Sequence, residues 1–338
     1  MSDEVAGRRP SIRDVARLAD VSHQTVSRVI NNHPSIRPET RERVQTVMAQ
    51  LQYRPNRAAR ALVTSRSQTI GILSASSTQY GPASSIAAIE EAARARGYWV
   101  STANIAPQDP ASIPEGLAHL TAQSIEGLVV IAPQARVFRA LAAQQLDIPY
   151  VTLQSAEVDP QHALSVDQIA GARLATRHLI ELGHRQIYHL AGPQDWIEAE
   201  ARMRGFLEEM SANDIPTTAP ILGDWTAEFG YYAGRELLQV RDFTAVFSSN
   251  DQMALGLIHA VRDEGLDVPG DVSIVGFDDI PEAAHFWPPL TTVRQDFAEL
   301  GRRCVDLLLG PAEGIEPAPG TIVPELVVRG STGPAHRA

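Results

Sequence analysis

Two groups of residues in this chain carry polar chemistry that could serve recognition. The first is Ser22-His23-Gln24-Thr25, followed by Ser27, Arg28 and Asn31. A glutamine amide sets a donor beside an acceptor and so matches one edge of adenine, and an imidazole can donate or accept at a base edge. Hydroxyl, amide and guanidinium groups around them suit phosphate oxygens. The second group is dispersed: Arg202, Trp225, Asn250-Asp251 and Asp278-Asp279. Carboxylate, amide and guanidinium groups grip the hydroxyls of a small polar molecule, and an indole covers its apolar face.

The first group must be held on a short helix. The pattern predicts one helix starting at Ser11, with Asp14 three residues on as a capping-box partner and Val15, Leu18 and Ala19 facing inward. A tight turn at Asp20-Val21 leads to a second helix capped by Ser22. There Val26, Val29 and Ile30 face the core while His23, Gln24 and Arg28 face out. A third helix over Pro38–Leu51 closes the set with Val44, Val47, Met48 and Leu51. Such a helix-turn-helix lays its second helix in a DNA major groove. Charge agrees: the first 66 residues hold 12 Arg against 6 Asp and Glu, a net +6, which leaves −17 on the rest of a −11 chain. Next, Asn56 can cap a short arginine-bearing helix that is unstable alone. It would form where DNA neutralises it and buries Leu62, a side chain suited to wedging between base steps of the minor groove.

The second group needs a larger frame. From Gln68 the pattern predicts strands over Thr69–Leu73, Trp99–Ala103, Gly127–Ile131, Gln186–Leu190, Ala245–Ser248 and Val272–Phe277. Helices are predicted between them over Ile86–Arg96, Ile113–Gln123, Ala170–Leu182, Ala199–Ala212 and Gln252–Gly265. This alternation implies an α/β class with two doubly wound parallel lobes, whose ligands sit at the carboxyl ends of strands. Leu300, Val305, Leu308 and Leu309 read as core packing, because their helix is too short for several heptads.

Several function classes are disfavoured. The chain has 338 residues, 44% hydrophobic and 20% charged, as in ordinary globular proteins. No apolar run approaches the ~18 residues of a membrane helix. The polar stretch Ser2–Arg13 lacks the apolar segment of a signal peptide, so a cytoplasmic protein is expected, with no membrane partner. Cys304 stands alone, which excludes an internal disulfide framework. All 29 basic residues are Arg, so lysine chemistry is absent. There is no Gly-x-Gly-x-x-Gly after a strand, no Walker loop and no Gly-x-Ser-x-Gly elbow, which argues against an enzyme. His184 and His189 lack metal-ligand spacing and read as structural, so neither metal nor cofactor is expected.

The run Val21-Ser22-His23-Gln24-Thr25-Val26-Ser27-Arg28-Val29-Ile30-Asn31, followed by Tyr53-Arg54-Pro55-Asn56 and Ala58-Ala59-Arg60-Ala61-Leu62, resembles the LacI/GalR family of transcriptional repressors. The likeness continues at Asn250–Gly256, Val275–Asp279 and Pro288–Phe297. It implies a homodimer on a pseudo-palindromic double-stranded operator. Ser22, His23, Gln24, Ser27 and Arg28 would contact DNA, and Leu62 would be an intercalating lever beside Asn56 and Ala59. It also implies a periplasmic-binding-protein-like core joined by three crossovers near Val166, Thr292 and Val323. The implied division is a DNA-binding domain over 10–55, a hinge over 56–67 and an effector domain over 68–332. Within that domain, lobe one would comprise 68–166 and 293–323, lobe two 167–292 and 324–332, and a tail would follow over 333–338. Arg202, Trp225, Asn250, Asp278, Gln295 and Phe297 would line the effector cleft with Pro82. Departures from the sugar-binding pattern are Ile131 and Gln154 for an Asn and an Asp, Val166 for a Phe, and Trp196 and Glu198 for two serines. A small sugar effector is therefore expected, a glycoside or short oligosaccharide stacked on Trp196. A purine or phosphorylated corepressor is the alternative, and a transported-solute receptor would share only the core. The tail lacks the leucine heptads of tetrameric members, so a dimer is expected.

Overall fold

The computed structural model describes residues 10–30, 33–53, 66–75, 78–106, 108–109, 111–132, 134–142, 146–153, 162–314 and 320–335. Two compact units divide at residue 67/68.

The first unit contains α1 (Ile12–Leu18), α2 (His23–Ile30) and α3 (Pro38–Gln50). The Ser11 hydroxyl accepts from the Asp14 amide at 3.4 Å, and the Asp14 carboxylate accepts from the Ser11 amide at 2.9 Å, completing the expected capping box. Between α1 and α2 the chain turns through Asp20 at φ 49°, a left-handed conformation that Asp tolerates better than most residues. Val15, Ala16, Ala19, Val26, Val29, Val44 and Val47 form the core. Leu18, expected inward, is 57% exposed. The helix is only seven residues long, and Ala16 rather than Leu18 shares the buried stripe with Val15 and Ala19.

The second unit holds two six-stranded sheets. In chain order its first lobe builds β1 (Thr69–Ala75), α4 (Tyr80–Ala95), β2 (Trp99–Ile105), α5 (Ser112–Thr121), β3 (Gly127–Ile131), α6 (Ala135–Ala142), β4 (Tyr150–Leu153) and β5 (Ala163–Val166). The second lobe continues with α7 (Gln168–Glu181), β6 (Ile187–Ala191), α8 (Ile197–Ala212), β7 (Ile221–Leu222) and α9 (Ala227–Val240). It then adds β8 (Ala245–Ser248), α10 (Asp251–Asp263), β9 (Ser273–Asp278), a 3-10 turn (Pro281–His285) and β10 (Thr291–Arg294). Finally α11 (Phe297–Glu313) and β11 (Gly320–Ile322) return to the first lobe, and β12 (Glu325–Val327) to the second. The first sheet runs β11-β5-β4-β3-β1-β2, with every pair parallel. The second runs β12-β10-β9-β8-β6-β7 and is parallel except for the edge pair β10–β12. Because helices cover both faces, central strands such as β3 and β8 are buried throughout, and β3 is apolar along its whole length.

Several boundaries differ from expectation. The helix expected from Ile86 begins at Tyr80, since its small and polar first turn (Tyr80-Gly81-Pro82) carries no apolar period. Pro82 is tolerated there because a first-turn amide needs no helical acceptor. Strands β4, β5 and β10 to β12 are too short to give a periodic signal, and Gly230 and Gly234 weaken the helical signal of α9. The second crossing comes later than residue 292, since Val293 and Arg294 still pair with Phe277 and Asp278. The expected tail begins packed on the second lobe: the Gly333 carbonyl accepts from His184 at 3.0 Å, and the Ala335 amide donates to the Leu182 carbonyl at 2.9 Å.

Candidate functional site

In the first unit, α2 carries the candidate DNA-reading surface. Ser22 is its cap: the hydroxyl accepts from the Thr25 amide at 3.1 Å and shares a 2.9 Å hydrogen bond with the Thr25 hydroxyl. His23, Gln24 and Arg28 are exposed, and Ser27 is half-buried, while Val26 and Val29 anchor the opposite face in the core. The helix therefore offers one polar face with an amide and an imidazole in its first turn, where a groove-binding helix makes base contacts. Asn31, Asn56, Ala59 and Leu62 lie outside the described residues.

In the second unit, a cavity of about 260 Å³ opens between the lobes at the carboxyl ends of both sheets. The structure brings Pro82, Trp196, Arg202, Trp225, Asn250, Asp278, Gln295 and Phe297 to its wall, while Gln154 lies outside the described residues. The two sides differ. Lobe one supplies Pro82, Ile131, Leu153 and Val166, and the returning α11 supplies Phe297, which meets Tyr80 edge-on at 5.9 Å between ring centroids. Lobe two supplies the charged groups Glu198, Arg202 and Asp278 and two indoles, Trp196 and Trp225, packed edge-to-face at 5.4 Å, while lobe one adds the polar Gln79, Ser85 and Ser165.

A closed ring of hydrogen bonds organises the polar side. Arg202 Nε donates to Gln168 Oε1 at 2.8 Å, Gln168 Nε2 donates to Gln295 Oε1 at 2.9 Å, and Gln295 Nε2 donates to Asp278 Oδ1 at 2.7 Å. Arg202 Nη2 reaches the same Asp278 oxygen at 3.4 Å and closes the ring. The third Arg202 nitrogen, Nη1, donates to the Ser249 carbonyl, and the guanidinium lies 3.8 Å from the Phe277 ring centroid. Burial pushes the Asp278 carboxyl up to about 6 against the opposing pull of Arg202 and Gln295. Asp278 also sits at φ 110° and Asp279 at φ 51°, conformations costly for non-glycine residues and concentrated at binding and catalytic sites.

Other polar residues near the cavity are committed to structure. Asn250 caps α10: its Oδ1 accepts from the Met253 amide at 2.9 Å, and its Nδ2 donates to the Trp225 carbonyl at 3.0 Å, so it positions the indole. Asp251 accepts from Thr292 Oγ1 at 2.6 Å and from the Ile280 amide at 2.9 Å. Asp279 is held by Arg294 at 2.7 Å and Arg329 at 2.6 Å. His189 stacks on Phe206 and Phe247, and desolvation lowers its pKa to about 4, so it is neutral and donates through Nδ1 to the Phe247 carbonyl at 3.0 Å. Among the described residues no cluster of His, Cys, Asp and Glu could hold a metal. No described helix is long and apolar enough to cross a membrane.

Sequence reasoning did not place Tyr80 or Gln168 among the site residues, yet both line the cavity, as does Glu198, which the resemblance sets where the sugar-binding pattern has a serine. Gln168 was legible in principle as the first residue after Asp167, a residue that caps α7 at a strand end by accepting from the Ala170 amide at 2.9 Å. At the mouth, lobe one meets lobe two through a bridge between Gln134 and Trp196 and through Arg136–Asp195 at 3.1 Å.

Residues 11–56 match the model for bacterial regulatory proteins of the lacI family, and residues 176–332 match a periplasmic binding protein-like domain. The chain is 34% identical to the lactose operon repressor of Escherichia coli (strain K12) over 95% of its length and 90% of the relative's. It is also 34% identical to the HTH-type transcriptional repressor PurR of Mannheimia succiniciproducens, over 95% of its length and 98% of that protein's. Among solved structures, a lac repressor dimer bound to operator and the anti-inducer ONPF superposes with a TM-score of 0.86 at 34% identity, covering 96% of this chain and 100% of that one. A complex of the transcriptional regulator CelR with cellobiose gives a TM-score of 0.68 at 31% identity, over 96% and 100% of the two chains.

Proposed function

The chain belongs to the LacI family of bacterial transcriptional repressors, and on that premise we propose that it represses genes of sugar utilisation and is released from its operator by a small glycoside. Ser22, His23, Gln24, Thr25, Ser27 and Arg28 meet double-stranded operator DNA, with two copies of the chain on the two half-sites of a palindrome. The protein acts on the chromosome in the cytoplasm. The effector occupies the inter-lobe cavity, and its binding lowers operator affinity.

One observation carries the sugar reading. The cavity sets a carboxylate, a guanidinium and an amide, Asp278, Arg202 and Gln295, against a mainly apolar and aromatic opposite wall (Pro82, Ile131, Leu153, Val166, Phe297) that carries uncharged polar groups such as Gln79 and Ser165. A glycoside presents the same division, with hydroxyls on one side and C–H faces or an aglycone on the other. Among the described lining residues Arg202 is the one cation, and it is already paired with Asp278. An anion entering there finds no unpaired positive charge. A complex of the relative CelR with cellobiose supports the sugar class, whereas identity to PurR equal to that with the lactose operon repressor keeps a purine as the second reading.

The test is a thermal-shift screen of the full chain against neutral glycosides, disaccharides, sugar phosphates and purines, followed by operator titration with each hit. A ligand at ~100 times its dissociation constant adds about 2.7 kcal/mol to stability. Stabilisation by a neutral glycoside that also weakens operator binding supports the proposal. Stabilisation by purines alone, with tighter operator binding, replaces the sugar by a corepressor.

A further inference from the structure

Two buried polar atoms on the cavity wall have no hydrogen-bond partner among the described residues: Glu198 Oε2 and the indole Nε1 of Trp225. A buried donor or acceptor left unpaired costs about 1–3 kcal/mol, so an orphan pair at a cavity wall calls for a ligand. One of the two accepts and the other donates. Glu198 lies in the first turn of α8, four residues before Arg202, and Trp225 is pressed flat against Gly192, where an added Cβ would stand 2.1 Å from the indole. Both orphans therefore sit on rigid supports.

We propose that Glu198 sets the selectivity of this cavity: it accepts a hydroxyl of the effector while Trp225 donates to an oxygen of the same molecule, so that a neutral sugar is taken and its uronate or phosphate is refused. The inference rests on the sugar reading above and deepens it. Electrostatics support it. Asp167, Glu198 and Asp278 place three carboxyl groups on the wall against Arg202, the one cation among the described lining residues, and burial raises the pKa of Glu198 and Asp278. A further negative group would raise the cost again, whereas a hydroxyl donor relieves it.

The experiment is calorimetric titration of the full-length protein and its Glu198→Gln and Glu198→Ala variants. The probes are p-nitrophenyl β-glucoside and β-galactoside with the matching β-glucuronide and β-galacturonide, which differ only in a carboxylate for a hydroxymethyl group. The unmodified protein is expected to bind at least one glycoside and to refuse its uronide by a factor of at least ~100. Glu198→Gln is expected to lose about tenfold or more on the glycoside and to narrow the gap to the uronide by about tenfold, a change of about 1.4 kcal/mol. Glu198→Ala should show the same loss without a replacement amide. If both variants keep the glycoside affinity and the uronide gap within twofold, Glu198 is not the selector and this inference fails while the sugar reading stands. If neither glycoside binds the unmodified protein at millimolar concentration, this inference fails, while the sugar reading stands or falls with the disaccharides of the thermal-shift screen.

Discussion

Arg202 and Asp278 are buried to similar depth and depend on one another. Removing one member of a buried pair leaves the other uncompensated, a cost of about 3–5 kcal/mol. Arg202→Ala should therefore lower the melting temperature of the second unit and abolish the effector response, which differential scanning calorimetry and operator titration with effector would check. Persistent release of operator by effector in this variant would remove Arg202 from the effector site. The same pair predicts a pH dependence. Asp278 is held near 6 rather than at its ordinary 3.8, so the folded state takes up a proton more readily than the unfolded chain. Its contribution to stability thus grows as the pH falls from about 6 towards 4 and is lost above that window. Effector affinity moves the other way, because a protonated Asp278 no longer accepts from Gln295 and a ligand hydroxyl in the same manner. Titrations between pH 7.5 and 5.5 should show affinity falling with a midpoint near 6. His189, with a pKa near 4, stays neutral throughout and cannot supply that midpoint. A flat profile would show that the Asp278 carboxylate does not hold the ligand.

At the scale of elements, close backbone approach decides the packing of α9 on α10. A Cβ added at Gly256 would lie 1.9 Å from the Ala227 carbonyl oxygen, a backbone atom that cannot swing away. Gly256→Ala should cost about 1–3 kcal/mol through forced separation of the two helices, measured by urea denaturation. An unchanged midpoint would mean that the helices can part freely. In the first unit, Asp20 holds a left-handed turn without being glycine. Replacing it with glycine should raise the melting temperature of that unit, read by circular dichroism at the helical signal, and a lowered one would show that glycine's entropy outweighs the relieved strain. On α2, Gln24→Ala should cost about 1–3 kcal/mol at one base pair of each half-site. Equal weakening on every operator variant would make Gln24 a backbone contact instead. Elements were legible wherever a period ran long enough, as in α1 to α3 and β1 to β3. They were not legible where the cavity wall is built, at the polar first turn of α4 and in short strands such as β5, because residues that face a ligand interrupt the apolar period that packing imposes.

For the whole molecule, the hydrogen-bonded ring is the feature that ties ligand to architecture. Gln168 follows the first crossing between lobes and Gln295 follows β10 at the second, and both bond within one ring to the Arg202–Asp278 pair. A ligand that pulls on Asp278 thereby acts on two crossings at once. In the proposed repressor this is a coupling free energy between effector and operator, of order 1–3 kcal/mol, and it is reciprocal. Operator should weaken effector binding by the same factor by which effector weakens operator binding. Fluorescence titrations of effector with and without operator would check this, and equal effector affinities would rule the induction scheme out. Light scattering is expected to report a dimer, and a stable tetramer would contradict the proposal of two copies on one palindrome.

The sequence by itself determined the helix-turn-helix, through capping residues and apolar spacing that act within a few residues of one another. It also determined the alternation that makes the two-lobed α/β core, because strand and helix periods are local properties of the chain. Tertiary structure alone decided which polar residues face the cavity. Asp278 and Asp279 are neighbours of the same type, yet one joins the ring and the other is held by Arg294 and Arg329. Asn250 and Glu198 look alike as polar residues near strand ends, yet the first is consumed by a cap and an indole while Oε2 of the second is left without a partner. Apart from the cap on α10, the partners that decide these fates lie 15 to 76 residues away, and only folding brings them within hydrogen-bond reach.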